Sequence, residues 1–136
     1  MNGATLSHVT LAVRDPNASA TIFETVLGAT RLHERAGDET RSGEVFLDVG
    51  GTWLALVEGT GPASKTYDHI AFHVDEAALS AARERIAALD LAIEPSRPRG
   101  AGDARSLYFR DHDRHLIELH TGTLEERLAA ERGTAR

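Results

Sequence analysis

Two stretches of the chain alternate apolar and polar positions in the same way. The first is Ser7-His8-Val9-Thr10-Leu11-Ala12-Val13-Arg14-Asp15 and the second is Asp68-His69-Ile70-Ala71-Phe72-His73-Val74-Asp75. Each has a histidine near its start, runs through β-branched residues and ends near an aspartate, which predicts a half-buried strand. A helix follows each. Asp15-Pro16-Asn17 opens one through Ala18 to Leu27, closed by Gly28. Asp75 caps another from Glu76 to Leu89, with Leu79, Ala82, Ile86 and Leu89 at helical spacing. Two further strand-like runs come next in each half. Val45–Val49 and Trp53–Val57 flank a Gly50-Gly51 turn, and Ser106–Arg110 and Leu116–His120 flank Asp111-His112-Asp113-Arg114. A last helix, Thr123 to Arg132, reads as amphipathic through Leu124 and Leu128. The chain is thus a strand-helix-strand-strand unit repeated at an offset of about 61 to 63 positions. Gly59 to Lys65 is the linker, and a second loop from Glu94 to Ala104 carries two prolines and two glycines.

Period-two geometry assigns these residues to faces. Val9, Leu11 and Val13 share one face, and Ile70, Phe72 and Val74 share the matching one; both should pack on helices. His8, Thr10 and Ala12, then His69, Ala71 and His73, lie on the other face, as do Leu116, Glu118 and His120 of the last strand. His8, His69 and Glu118 therefore occupy the same face of equivalent strands, with Ala55 where the repeat would put a fourth ligand. Two imidazoles and a carboxylate with one direction open are the donor set of a catalytic divalent metal. A histidine taken alone is more often solvated or hydrogen-bonded, and that reading is kept for His33, His112 and His115. The repeat sets His8 and His69 apart. His73 and His120 are read as packing groups or neighbours of the ligands.

Composition narrows the classes. At 136 residues the chain fits one compact domain, or two small halves sharing a core. Its 41% hydrophobic and 26% charged residues exclude wholesale disorder. No apolar run approaches the ~20 residues of a membrane helix, and the N-terminus lacks a signal-peptide pattern. Absence of cysteine excludes disulfides, zinc-thiolate sites and a protein thiol nucleophile, and makes the cytoplasm the expected compartment. A net charge of −6 disfavours nucleic acid as a partner. An anionic small substrate would need a local arginine cluster.

From Leu6 to Leu128 the chain resembles the vicinal oxygen chelate superfamily, and within it the fosfomycin resistance proteins. The resemblance is carried by Ser7 to Val13, Tyr67-Asp68-His69-Ile70-Ala71-Phe72, Arg105-Ser106-Leu107-Tyr108-Phe109 and, most specifically, the run from Leu116 to Leu128. It implies an α+β fold of two tandem βαβββ units (5–59 and 66–122, with a C-terminal helix 123–132) forming a cupped mixed sheet. It implies a domain-swapped homodimer, each site drawing its first-half ligand from one chain and its second-half ligands from the other. The implied ligands are His8, His69 and Glu118, holding Mn(II), with zinc, iron or nickel as competitors. The implied substrate is fosfomycin, a small anionic epoxide bearing a phosphonate; neither nucleic acid nor membrane is an expected partner.

Three subgroups of that family open the epoxide with different nucleophiles: two with a thiol (glutathione; bacillithiol or L-cysteine) and one with water. In the hydrolase subgroup a glutamate stands nine residues before a tryptophan, as Glu44 stands before Trp53, which marks Glu44 as the general base. The Pro95 to Arg99 and Gly102 to Ser106 segments resemble the same subgroup, whereas Gly100, Ala101, Ala104 and the Arg35 to Ser42 segment depart from its pattern. Substrate contacts carried over or placed nearby are Thr10, Trp53, Tyr67, Arg99, Arg105, Ser106, Tyr108 and Arg127; Arg97 adds positive charge. Rival readings are a thiol transferase, a glyoxalase-type isomerase or extradiol dioxygenase, and a drug-binding protein. Ala55 weighs against the four-ligand isomerase, and the intact ligand set weighs against a non-metal binder.

Overall fold

The computed structural model describes residues 3–95 and 105–134. Its elements run β1 (His8–Val13), α1 (Pro16–Leu27), β2 (Thr30–Arg35), β3 (Glu44–Val49), β4 (Thr52–Glu58), β5 (His69–His73), α2 (Glu76–Ala88), β6 (Ile93–Glu94), β7 (Ser106–Arg110), β8 (Leu116–His120) and α3 (Leu124–Thr134). They form two four-stranded sheets of identical topology, β1-β4-β3-β2 and β5-β8-β7-β6. In each, the first strand runs parallel to the last and the remaining pairs are antiparallel. This is the βαβββ pattern twice over, an α+β fold. The two compact units are residues 1–67 with 111–115, and residues 68–110 with 116–136.

In the first unit the capping residues bound α1 on both sides. Asp15 accepts hydrogen bonds from the Asn17 and Ala18 amides, both at 3.1 Å, and Pro16 supplies a preset φ in the first turn. Gly28 ends the helix at φ 68°, its amide donating to the Glu24 carbonyl and that of Ala29 to Phe23. A side chain at that φ would be strained, so glycine fits. Between the caps, Ala20, Phe23 and Val26 form a buried stripe that packs on β3 and β4. Val13, Val45, Leu47, Leu54 and Leu56 form the opposing layer. The β3–β4 hairpin turns on Gly50 and Gly51, both at positive φ, as a two-residue mirror-image turn demands. Removing the α1 cap with Asp15→Ala is expected to cost about 1 kcal/mol. Urea denaturation should show a lower midpoint with an unchanged slope.

The 111–115 loop belongs to this unit and is held by its own polar network. Asp111 accepts from the amides of Asp113 and His115, and its second oxygen meets His115 Nδ1 at 2.8 Å. Asp113 accepts from the backbone and side chain of Arg14, which also donates to the His112 carbonyl. His115 is therefore a hydrogen-bonded histidine rather than a solvated one, because a buried carboxylate beside it requires a donor.

In the second unit, Leu79, Ala82 and Ile86 of α2 are buried, and the helix packs on β6 and β7. Leu107, Phe109, Ile117 and Leu119 complete that core. The helix ends at Ala88, with Leu89 as its cap residue rather than its last turn. The C-terminal helix starts one residue later than expected and runs to Thr134, because Thr123 caps it: its hydroxyl accepts from the Glu126 amide and donates to the Glu126 carboxylate. Leu124 and Leu128 remain exposed, so its apolar stripe is not part of either core. No helix among the described residues is long and apolar enough to cross a membrane.

Candidate functional site

In both sheets the face turned away from the helix carries the ligand-type side chains. Along β3 the alternation is strict: Val45, Leu47 and Val49 are buried toward α1, while Glu44, Phe46 and Asp48 point the other way. Parallel registration of β1 on β4 sets His8 against Trp53 and Thr10 against Ala55 on that same face. His8 stacks on Trp53 with ring centroids 4.2 Å apart, Trp53 meets Phe46 edge-on at 5.1 Å, and Phe46 meets His33 at 4.7 Å. A ladder of four rings thus crosses all four strands of the first sheet. Ser7 Oγ lies 2.9 Å from His8 Nδ1, which fixes the ring and leaves Nε2 for a ligand.

Glu44 sits at the far side of this face, its carboxylate largely covered. His33 Nε2 and Arg35 Nη1 both approach Glu44 Oε2, at 3.0 and 2.9 Å. Covering the carboxyl from solvent pushes its pKa up; hydrogen bonds from His33 and Arg35, and the charge of both, outweigh that and hold it below the ordinary glutamate value. His33 is thus a hydrogen-bonded histidine, one of the two states its sequence context allows, and Arg35 gains a role that the sequence does not signal. They reach Glu44 because β2 carries a bulge: Arg31 pairs with Leu47 but His33 with Phe46, so Leu32 is the extra residue and projects outward. Without it, His33 and Arg35 would turn toward the helix.

The second sheet carries its own cluster. Registration of β5 on β8 puts Ala71 opposite Glu118, and β7 on β8 puts Tyr108 opposite Glu118. His69 Nε2 lies 3.0 Å from Glu118 Oε1, and the Tyr108 ring stands edge-on to His69 at 5.6 Å. Glu118 is only 6% exposed. Its Oε2 accepts a 2.7 Å hydrogen bond from Ser106 Oγ, and the same hydroxyl lies 2.7 Å from His120 Nδ1. A hydroxyl has one hydrogen, so Ser106 donates to Glu118 and accepts from His120. The 3.0 Å spacing of His69 and Glu118 is that of two adjacent donors about 2.1 Å from one octahedral cation. A half-buried imidazole against a buried carboxylate, braced from behind by a hydroxyl, is a donor pair suited to a divalent ion. No group of three His, Asp or Glu side chains is arranged to hold a metal ion among the described residues. The first unit offers one of the expected ligands and the second offers two.

The remaining expected contacts are scattered. Thr10 and Tyr67 are exposed in the first unit. Ser106 faces Glu118 as described, and Arg105 makes a solvent-exposed pair with Glu76 at 3.2 Å. Arg127 pairs with Glu131 along α3 at 2.8 Å. Arg97 and Arg99 lie outside the described residues.

The profile of the Glyoxalase/Bleomycin resistance protein/Dioxygenase superfamily matches residues 5–119. The chain belongs to this superfamily. Among proteins of this superfamily, it is 43% identical over 125 residues to the fosfomycin resistance protein FosX of Listeria monocytogenes, covering 90% of this chain and 93% of that one. It is 36% identical over 132 residues to the metallothiol transferase FosB of Lysinibacillus sphaericus, covering 94% of this chain and 89% of that one. A crystal structure of a Listeria monocytogenes FosX variant, complexed with Mn(II) and 1S,2S-dihydroxypropylphosphonic acid, superposes with a TM-score of 0.82 at 38% identity. That superposition covers 94% of this chain and 96% of the other. Superfamily membership accounts for the paired βαβββ units.

Proposed function

We propose that this chain is a Mn(II)-dependent fosfomycin resistance enzyme that opens the epoxide of fosfomycin with water. The observation that carries the reading is its 43% identity to FosX across nearly the whole of both chains. The Mn(II) and the diol held by a FosX structure support it further, since a vicinal diol is what water addition to a propyl epoxide yields. His8, His69 and Glu118 are the proposed metal ligands, His8 from one protomer of a homodimer and the other two from its partner. When bound there, the divalent ion supplies Lewis-acid stabilisation of the negative charge that builds on the epoxide oxygen.

This chain's own groups do the rest. Glu44 removes a proton from water, a weak nucleophile near neutral pH. Trp53 and Ser7 hold the His8 ring from two sides. Ser106 and His120 orient the Glu118 carboxylate. Tyr108 and Arg127 hold the phosphonate, arginine matching its oxygens with a forked pair of donors, and Thr10 beside His8 donates to the substrate. Tyr67, Trp53, Arg99, Arg105 and Ser106 complete the proposed substrate surroundings.

Phosphorus NMR of fosfomycin incubated with Mn(II)-loaded protein tests the assignment. The expected product is the dihydroxypropylphosphonate, formed without any thiol. A product that forms only with glutathione, bacillithiol or L-cysteine, and carries its mass, would instead make the chain a transferase of the FosB kind.

A further inference from the structure

We propose that His33 and Arg35 are positioning residues that pin Glu44 through one carboxylate oxygen and leave the other to receive the proton of the attacking water. This rests on the reading of Glu44 as the general base. Both donors converge on Oε2, at 3.0 and 2.9 Å, while Oε1 accepts no hydrogen bond among the described residues. A carboxylate has two chemically equal oxygens and turns freely about its last torsion. Two donors on one oxygen remove that freedom and define which oxygen faces substrate.

Each donor is itself anchored. Arg35 spends its second nitrogen, Nη2, on the Ser42 carbonyl at 3.1 Å, immediately before Gly43 and the start of β3. Its Nε is buried without a partner among the described residues, a desolvation cost that a freely solvated surface arginine avoids. The His33 ring packs on Phe46, the side chain next to Glu44 on the same strand face. The β2 bulge at Leu32 is what brings both donors to this face. An ion pair that served only to tie β2 to β3 could have used either face of the ladder and would not need a bulge. The lowered pKa of Glu44 agrees with the arrangement, because both donors stabilise its charged form.

The step served is redox-neutral. An O–H bond of water breaks and its proton passes to Glu44 Oε1. The water oxygen bonds to an epoxide carbon, the bond from that carbon to the ring oxygen breaks, and the ring oxygen then takes up a proton to give the diol. Glu44 returns its proton to solvent.

The test compares kcat, KM and bound Mn(II) in His33→Phe, which keeps the ring packing on Phe46 but removes the N–H, and in Arg35→Met. Each is expected to lower kcat about tenfold, the loss of one hydrogen bond to a charged group, with KM and metal content at parent values. His33→Gln, which retains an N–H donor, should recover most of the rate. In a Glu44→Gln background neither change should lower the rate further, since its target is already gone. Parent kcat in His33→Phe and Arg35→Met, with Glu44→Gln slow, overturns the clamp and leaves the base in place. Parent rate in Glu44→Gln overturns the base itself, and with it the clamp. Equal losses in the presence and absence of the Glu44 carboxylate make the pair structural and also overturn the proposal.

Discussion

Glu118→Ala and His69→Ala proteins are expected to bind Mn(II) at least ~100-fold more weakly than the parent, a loss beyond that of removing a mere orienting partner. The reason is local to β5 and β8. The two side chains form a donor pair 3.0 Å apart, and the carboxylate is buried and braced by Ser106, so removing either leaves half of a preformed donor pair. Metal analysis after equilibrium dialysis reads the effect, and full stoichiometry in both variants would remove these residues from the site. The same variants test the shared site of a swapped homodimer. Mixing unfolded His8→Ala and Glu118→Ala chains and refolding them together should restore about a quarter of parent activity. Half the dimers would then be mixed, and each mixed dimer would hold one site with all ligands intact. A site built within one chain would instead carry a lesion in every case, and mixing would restore nothing.

Glu44→Gln should hydrolyse fosfomycin about 10²- to 10⁴-fold more slowly, the usual consequence of losing a general base. Its metal content and fosfomycin affinity should stay at the parent level, because Glu44 is neither a proposed ligand nor a phosphonate contact. Arg127→Ala should do the reverse and weaken substrate binding. The pH profile adds an independent check. A carboxyl held below the ordinary glutamate value stays ionised as pH falls through the range where a free glutamate would protonate. The limb that Glu44 contributes to kcat/KM should therefore lie below the ordinary glutamate value, with activity present above that limb and lost as pH drops through it. An acid limb at or above the ordinary glutamate value would contradict the His33–Glu44–Arg35 geometry.

Much of the fold is legible in the sequence. The alternation of Val9, Leu11 and Val13 against His8 and Thr10 fixes the face of β1, since a strand reverses direction at every residue. Asp15-Pro16 and Gly28 mark the ends of α1 because caps are local chemistry. Gly50-Gly51 marks the hairpin for the same reason. The repeat then singles out His8, His69 and Glu118 by position alone. The strands that escaped were β2 and β6. Thr30 to Arg35 is polar but for Leu32 and shows no period of two, and β6 has two residues. Both are edge strands whose pairing comes from the neighbouring strand rather than from their own burial.

The sequence by itself determined every element but β2 and β6, and the strand faces that carry His8, His69 and Glu118, because these follow from local periodicity and capping. Tertiary structure alone decided what surrounds those residues. No pattern in Thr-Arg-Leu-His-Glu-Arg announces a bulge at Leu32; it arises when β2 is laid on β3, and its single extra residue carries His33 and Arg35 to the side of Glu44. Ser106 likewise reads from the sequence as the first residue of a strand and a substrate contact; only β7 laid beside β8 brings its hydroxyl between Glu118 and His120. Register between strands is a long-range property, set by which residues meet across the ladder, and so the bracing of both carboxylates became visible only in the folded chain.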